Sequence, residues 1–292
     1  MGALSGPIDL SIVIVNWNTC DLLDRCLSGV FPTVRCRVEV IVVDNASSDG
    51  SADLVRDRYP RCILVRNPVN LGFARANNQG FGLAKGRHVL LLNSDACPLE
   101  GCVDGMVEFL DRNPGHGAVA CRLVFEDGRL QRSCRRFPTW LALLAAHSSL
   151  RYRECGKRAM DRWVMRDWPH DASRDVDQPA AACLLVRGET LRRVGPFDTG
   201  FFLLYNDVDL CRRIRAARHR IAYRPSLSAV HSEGASLRRY GRLDAESFRN
   251  ALHYANKYYG PLAAAAFFLL VRADAWRLAL ARPEGSGDRR PK

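Results

Sequence analysis

Val38-Glu39-Val40-Ile41-Val42-Val43-Asp44-Asn45-Ala46-Ser47-Ser48-Asp49-Gly50-Ser51 is the stretch that decides the fold. Its first half is β-branched and almost wholly apolar, which reads as a strand buried on both faces. The strand stops abruptly in a run of Asp, Asn, Ser and Gly. Polar side chains at the carboxyl end of such a strand lie where open α/β sheets bind ligands.

The same unit recurs on either side. Leu10 to Val15 is a buried-strand pattern ending at Asn16-Trp17-Asn18, and Asp21 to Val30 follows with helical spacing. Downstream come strand Ile63 to Arg66, loop Asn67 to Gly72, helix Phe73 to Ala84, strand His88 to Leu92, and loop Asn93-Ser94-Asp95. Helix Val103 to Arg112 and a strand near Gly117 to Cys121 complete the alternation. Strand–helix alternation of this kind predicts a mainly parallel sheet with helices on both faces. No Walker A sequence and no GxGxxG is present, which argues against a P-loop NTPase or a Rossmann dehydrogenase.

Beyond Arg122 the chain turns irregular and basic. Gly128 to Thr139 carries Arg132, Arg135 and Arg136, which form either a solvated basic face or a phosphate clamp. An apolar helix is expected over Trp140 to Leu150, a loop or lid over Tyr152 to Asp177, and a buried strand or helix over Ala180 to Val186. Phe201 to Arg213 leads aromatic residues into Asp207, and Val208 to Arg218 reads as a helix. A carboxylate at a helix N-terminus is held ionised and can act as a base; the competing reading of Asp207 and Asp209 is simple capping. Ile221 to Tyr223 and Leu227 to Val230 read as two short strands that deliver His231, either an ordinary imidazole or a metal or phosphate ligand. Asp244 to Tyr259 and Pro261 to Ala281 read as helices, and residues 282–292 as a disordered tail.

Composition bounds the rest. At 292 residues, 47% hydrophobic and 25% charged, the chain is that of a globular protein rather than a disordered one. Its net charge of +12 attracts anions, whether nucleic acid, lipid headgroups or phosphorylated substrates. Eleven cysteines fall singly along the elements without a CxxC pair, as expected of reduced thiols in a cytosolic protein. The longest apolar run, Leu262 to Val271, is about half of what crosses a bilayer.

From the residues alone, Asp44 and Asp95 at strand ends, with amide-rich loops between them, suit a nucleoside diphosphate. Asp44 would accept from a base N–H, the Asn70 to Asn78 turn would line phosphates, and Asp95 would hold a divalent ion. The competing reading is that Asn- and Gly-rich loops merely make turns.

The ordered set Val15-Asn16-Trp17-Asn18, Val42 to Ser51, Asn70-Leu71-Gly72-Phe73-Ala74 through Asn77-Asn78-Gln79-Gly80, Leu92-Asn93-Ser94-Asp95, Phe197-Asp198 through Asp207-Val208-Asp209-Leu210, and His231 resembles glycosyltransferase family 2. Within it the chain is most similar to the bacterial rhamnosyltransferase-type branch, over about Leu10 to Ser236. The resemblance implies a GT-A fold with a catalytic domain over 1–236, a C-terminal helical extension over 237–281, and an inverting transfer of one sugar, a deoxyhexose such as rhamnose, from a nucleoside-diphosphate sugar. It implies Asp207 as catalytic base; Asp95 and His231 as metal ligands for Mg²⁺ or Mn²⁺; Asn16, Asp44, Asn70, Gly72, Asn77, Asn78, Ser94 and Arg135 toward the nucleotide-sugar; and Tyr205 and Asn206 on the acceptor side. Asn206 stands where the family usually has Glu, Ala181 where it commonly has Gly, and Cys97 at the second acid of the metal motif. The processive-synthase motif QxxRW is absent, so a single addition is expected.

The implied partners are a donor such as dTDP-rhamnose, a glycan or polyprenyl-diphosphate-linked acceptor, an anionic membrane surface at the inner face, and a second copy of the chain, with no nucleic acid. The alternatives are a nucleotidyltransferase, which would release pyrophosphate, and a sugar-nucleotide-binding protein without turnover. Arg272, Arg277 and Arg282 follow the apolar run, so binding to anionic liposomes that is lost on deleting Leu262 to Lys292 is expected, against the alternative that this helix packs on the protein or across a dimer interface.

Overall fold

The computed structural model describes residues 6–232 and 243–280. The central sheet is built first from the apolar runs: β1 (Leu10–Asn16), β2 (Val38–Asp44), β3 (Ile63–Arg66) and β4 (His88–Asn93), in the order β3-β2-β1-β4 and all parallel. The sheet continues through β11 (Cys183–Arg187), β6 (His116–Val124), β12 (Arg220–His231) and β5 (Ala96–Pro98). β11 and β5 run against the others, so the sheet is mixed but mostly parallel. Short β7 (Leu130–Gln131) and β9 (Arg174–Asp175) append to β6 and β12, giving this sheet ten strands among the described residues.

Alternation along β1 separates two apolar layers. Ile12 and Ile14 face a cluster with Leu23 and Leu27 of α1 (Cys20–Thr33), Val55 of α2 (Ser51–Arg58) and Met106 of α4 (Cys102–Arg112). Val13 faces Ala74 and Ala76 of α3 (Gly72–Leu83), Leu191 of α7 (Gly188–Val194), and Leu210 and Ile214 of α8 (Asn206–Ala216). Both faces are therefore covered, as the two-sided apolar strands require. Asn16, Asp44, Asn93 and His231 end their strands at one edge of this sheet, and the residues just before antiparallel β11 reach the same edge.

A third apolar cluster ties the C-terminal helices to the sheet-bearing body. α9 (Leu243–Tyr259) and α10 (Pro261–Leu280) supply Ala251, Tyr254, Ala255, Ala264 and Phe267, which pack on Leu143 and Leu144 of α5 (Trp140–Ala146), on Phe201 and on Val208. The expected boundary near residue 236 and the expected tail over 282–292 lie outside the described residues.

Three local expectations change. The stretch Tyr152 to Asp177 is not a plain loop: it holds α6 (Glu154–Trp163) and β9. Gly156 lets this helix close on the turn before it, since a Cβ there would meet the Leu150 carbonyl oxygen. The expected helix Trp140 to Leu150 stops at Ala146, and Ser149–Tyr152 forms a separate 3₁₀ turn with Ser148 as its cap. The two pieces Ile221 to Tyr223 and Leu227 to Val230 are one strand whose pairing with β6 skips between Arg224 and Ser228, where Pro225 cannot donate to the ladder. The cysteines are all free, yet they are not all scattered: the sulfurs of buried Cys102, Cys121 and Cys183 lie within 4.8 Å of one another in the core.

Candidate active site

Two cavities of about 290 and 320 Å³ meet at the carboxyl edge of the sheet. The first is lined by Trp17, Asn45, Asn70, Gly72, Ser94, Asp95, Phe202 and Asn206, among others; the second by Gln131, Arg132, Arg135, His147, Trp163, Gln178 and Ser247. Leu204, Tyr205, Asp207, Ala180 and His231 belong to both. Asp207 thus stands on the wall between two chambers.

Its position follows from local structure. Tyr205 adopts a left-handed backbone, φ +66°, which ends the 201–204 loop and starts α8. Left-handed geometry is uncommon for a bulky aromatic residue and is held only where the surroundings over-determine it; here the ring packs on Tyr254, centroids 5.5 Å apart. Asp207 then accepts from its neighbour's backbone, Val208 N–H, at 2.8 Å, and from Gln178 Nε2 at 3.0 Å. Gln178 sits in β10 (Gln178–Pro179), which pairs with β8 (Cys134–Arg135) so that Gln178 lies opposite Arg135. This small ribbon carries a donor and a cation to one carboxylate.

The expectation that the helix N-terminus holds Asp207 firmly ionised needs correction. Burial pushes its carboxyl above the ordinary carboxylate range; the Val208 N–H, the Arg135 charge and the Ala181 N–H pull the other way without cancelling it. A raised carboxylate is the better proton acceptor. Asp209 has a different life. Its side chain is fully buried and accepts from Tyr258 Oη at 2.7 Å, Lys257 Nζ at 2.6 Å and Arg213 Nε at 2.9 Å, so it ties α8 to α9 rather than capping the helix.

His231 and Asp95 form the second centre. His231 Nδ1 donates to Gln131 Oε1 at 2.7 Å, and its Nε2 lies 3.2 Å from Asp95 Oδ1 and 3.5 Å from Asn93 Nδ2. An imidazole nitrogen beside a carboxylate, with the other ring nitrogen fixed by an amide, is a donor set that suits a divalent cation. The departure at Cys97 holds, its thiol turned to the Arg25 carbonyl instead.

The first cavity is floored by a hydroxyl and amide network. Asn16 Oδ1 accepts from Thr19, whose hydroxyl meets Ser94 Oγ at 2.8 Å, and Asn16 Nδ2 reaches Ser47 Oγ at 3.1 Å. Asn45 knits its rim, donating to Asn70 Oδ1 at 2.7 Å and accepting from Leu71 N–H and Asn67 Nδ2. Gly72 has φ +80°, and a Cβ would strike Phe202; the Phe73 N–H donates across this close approach to the Phe202 carbonyl.

Among the expected residues, Asn70, Gly72, Ser94, Asp95, Arg135, Tyr205, Asn206, Asp207 and His231 come together around the cavities. Asp44 and Asn16 lie beneath the lining, 3% and 0% exposed, with Asp44 occupied by Ser47 N–H and the Asn16 amide. Asn77 and Asn78 are not brought to either cavity. Asn77 donates to the Phe73 carbonyl within its own helix, and Asn78 exchanges two hydrogen bonds with Phe197. Asn206 is 2% exposed, and both of its amide atoms are buried with no partner among the described residues. Sequence reasoning missed Gln131, Gln178, Asn45 and Trp17. The Asn45 and Trp17 signals were present, since both follow strand ends; a lone Gln in an irregular basic segment carries none.

A mixed, mostly parallel α/β sheet with a strand-end acid, a histidine across from it and a buried acid on the facing helix defines the class: a sugar-nucleotide transferase of the GT-A fold. Residues 11–172 match the family described as glycosyl transferase family 2, and the chain belongs to that family. It is 27% identical over 246 residues to the N-acetylglucosaminyl-diphospho-decaprenol L-rhamnosyltransferase of Mycobacterium tuberculosis, covering 78% of this chain and 77% of the relative. The mannosyltransferase PcManGT from Pyrobaculum calidifontis, solved with GDP-Man and Mn²⁺, superposes with a TM-score of 0.56 at 20% identity over 96% of this chain and 77% of that one. GalNAc-T7 with UDP, GalNAc and Mn²⁺ gives 0.57 at 14% identity, covering 96% and 59%. The protein is a glycosyltransferase.

Proposed function

We propose that the protein moves one sugar, a deoxyhexose of the rhamnose kind, from a nucleoside-diphosphate donor such as dTDP-rhamnose to a hydroxyl of a polyprenyl-diphosphate-linked glycan, with inversion at the anomeric carbon. The observation that carries this is the placement of Asp207 on the wall shared by two chambers of different chemistry.

The first chamber, with Asn45, Asn70, Ser94 and Asp95, takes the donor. Asn206, expected on the acceptor side, lines this donor chamber instead and not the second one. The second chamber takes the acceptor; it holds Arg132 and also Arg135, which was expected toward the nucleotide-sugar but lines this chamber instead, and guanidinium forks suit the diphosphate of a lipid-linked glycan. Asp207 accepts the proton of the acceptor hydroxyl as that oxygen forms its bond to the anomeric carbon. The bond from that carbon to the donor's β-phosphate oxygen breaks on the opposite side, and the diphosphate departs with the electron pair. One displacement inverts the configuration. Asp95 and His231 would hold a divalent ion, which supplies charge neutralisation to the departing diphosphate. Gln178 and Arg135 keep the Asp207 carboxylate turned toward the shared wall. The relative's own acceptor, named as a decaprenol diphosphate, supports the lipid-linked class.

The test is a panel of sugar nucleotides, dTDP-rhamnose first, incubated with a polyprenyl-diphosphate N-acetylglucosamine and Mg²⁺ or Mn²⁺. The expected result is a glycolipid of inverted anomeric configuration with release of free nucleoside diphosphate. Release of pyrophosphate, or a product that retains configuration, would overturn the reading.

A further inference from the structure

Helix α10 has two apolar faces, and only one of them has a partner among the described residues. Ala264 and Phe267 are buried in the third core cluster, Val271 packs beside them, and Asp274 accepts from Ser149 N–H at 2.6 Å and Ser149 Oγ at 2.5 Å. These four positions make one stripe. At 3.6 residues per turn, Leu262, Leu269, Trp276 and Leu280 fall within about 40° of one another on the opposite side. They are 86%, 64%, 69% and 66% exposed. Phe268 and Leu270 form its shoulders at 41% and 48% exposure. A continuous exposed stripe of large apolar side chains along a helix marks an interaction surface.

The charges say what covers it. Arg272 and Arg277 are the helix's two bases and flank the stripe, one on each side; Asp274, its sole acid, is turned inward to Ser149 and pairs with Arg277 at 3.1 Å, which leaves Arg277 partly exposed and Arg272 as the base with no acid of its own helix. The adjoining 3₁₀ turn, joined to α10 through that Ser149–Asp274 contact, exposes Arg151, Tyr152 and Arg153. In a two-fold contact with a second copy, these arginines would meet arginines with no exposed acid of the helix to pair them. An anionic bilayer surface complements both features: the stripe enters the headgroup boundary while the arginines reach phosphates. No helix of the described residues is long and apolar enough to cross a membrane. The helix lies beside the acceptor chamber, since His147, which lines that chamber, packs edge-on to Phe267 at 5.8 Å.

We propose that α10 docks the protein onto anionic membrane surfaces through the face bearing Leu262, Leu269, Trp276 and Leu280, flanked by Arg272 and Arg277. The benefit of this docking rests on the proposed lipid-linked acceptor, whose lipid end would then lie at the mouth of the second chamber. Binding itself is read without turnover.

The experiment is cosedimentation of the full chain with phosphatidylcholine vesicles with and without phosphatidylglycerol, for the wild type and for Leu269→Gln/Trp276→Gln. Deleting Leu262 to Lys292 is a poor perturbation, because it would remove Ala264 and Phe267 from a buried cluster. The wild type is expected to bind vesicles containing phosphatidylglycerol and to release as salt rises. The double variant, with an unchanged melting temperature, should lose about tenfold in partitioning for each side chain replaced. Arg272→Gln should weaken binding and flatten its salt dependence. Equal binding by the double variant would overturn the proposal, as would a wild type that ignores phosphatidylglycerol at low salt. So would a wild-type dimer that the double variant dissolves, since a second copy would then cover the stripe. Turnover of a short-chain, water-soluble acceptor should be the same for wild type and double variant; its absence in both would refute the functional reading and leave the vesicle result standing.

Discussion

Asp207 and Asp209 stand two residues apart on one helix turn, and exchanging each for its amide should do opposite things. Asp207→Asn removes the proposed proton acceptor. General-base catalysis contributes about 10²- to 10⁴-fold, so turnover should fall by that factor, about 3 to 5 kcal/mol of barrier. Stability should hold or rise. Burial has raised this carboxyl's pKa above its unfolded value, so ionising it weakens the fold as pH climbs through that window, and a neutral amide escapes the cost. Gln178 can turn its amide to receive the new N–H group, since its Oε1 is buried and without a partner among the described residues.

Asp209→Asn leaves the cavities untouched and strips the charge from a fully buried carboxylate held by Lys257, Arg213 and Tyr258. Breaking a buried pair costs about 3 kcal/mol, which lowers the melting temperature of a chain this size by about 6–12 °C. The assay pairs differential scanning fluorimetry with release of nucleoside diphosphate, and titration of the same nucleotide checks that Asp207→Asn still binds donor. A stable, fully active Asp207→Asn enzyme would refute the assignment of the base. Equal destabilisation by both substitutions would refute the claim that the two acids face different worlds.

Activity should decline as pH falls through the pKa of Asp207, because only the ionised carboxyl accepts a proton. Arg135→Gln removes a cation that holds this pKa down, so the acidic limb of the kcat/KM profile should move to higher pH; no movement would separate Arg135 from Asp207. Asp95→Asn, or EDTA on the wild type, should weaken nucleoside-diphosphate binding measured by calorimetry, and undiminished affinity would remove the divalent ion from the proposal. Asp198 is under opposing influences: burial would raise its pKa, but hydrogen bonds from Lys257, the Gly200 N–H and His253 lower it to about 2. The stability it gives is complete above the ordinary carboxylate value and lost as pH falls toward about 2, so Asp198→Asn should flatten the acid limb of the melting-temperature profile.

What could be read from the sequence depended on how each residue is buried. β1, β2 and β4 are covered on both faces, so their apolar runs announce the sheet, and the residues that end them announce its ligand edge. α6 was missed although Gly156, Ala159, Met160 and Trp163 fall at helical spacing: only Gly156 and Trp163 are buried along it, and the arginines and acids between them made the stretch read as a loop. The acids of α8 show the same limit within one motif. Two residues are about 200° around a helix, so only one of Asp207 and Asp209 can face the cavities, but which one depends on Tyr205 taking a left-handed backbone and on where Lys257 and Tyr258 lie. Both depend on α9, some fifty positions later in the chain. Gln131 and Gln178 were invisible for a related reason: each acts through one hydrogen bond to a residue far along the chain, to His231 and to Asp207. Periodicity reports what a whole element buries. Asp207 and His231 became legible because family resemblance marks positions, whereas the glutamines that aim them are set by tertiary contact alone.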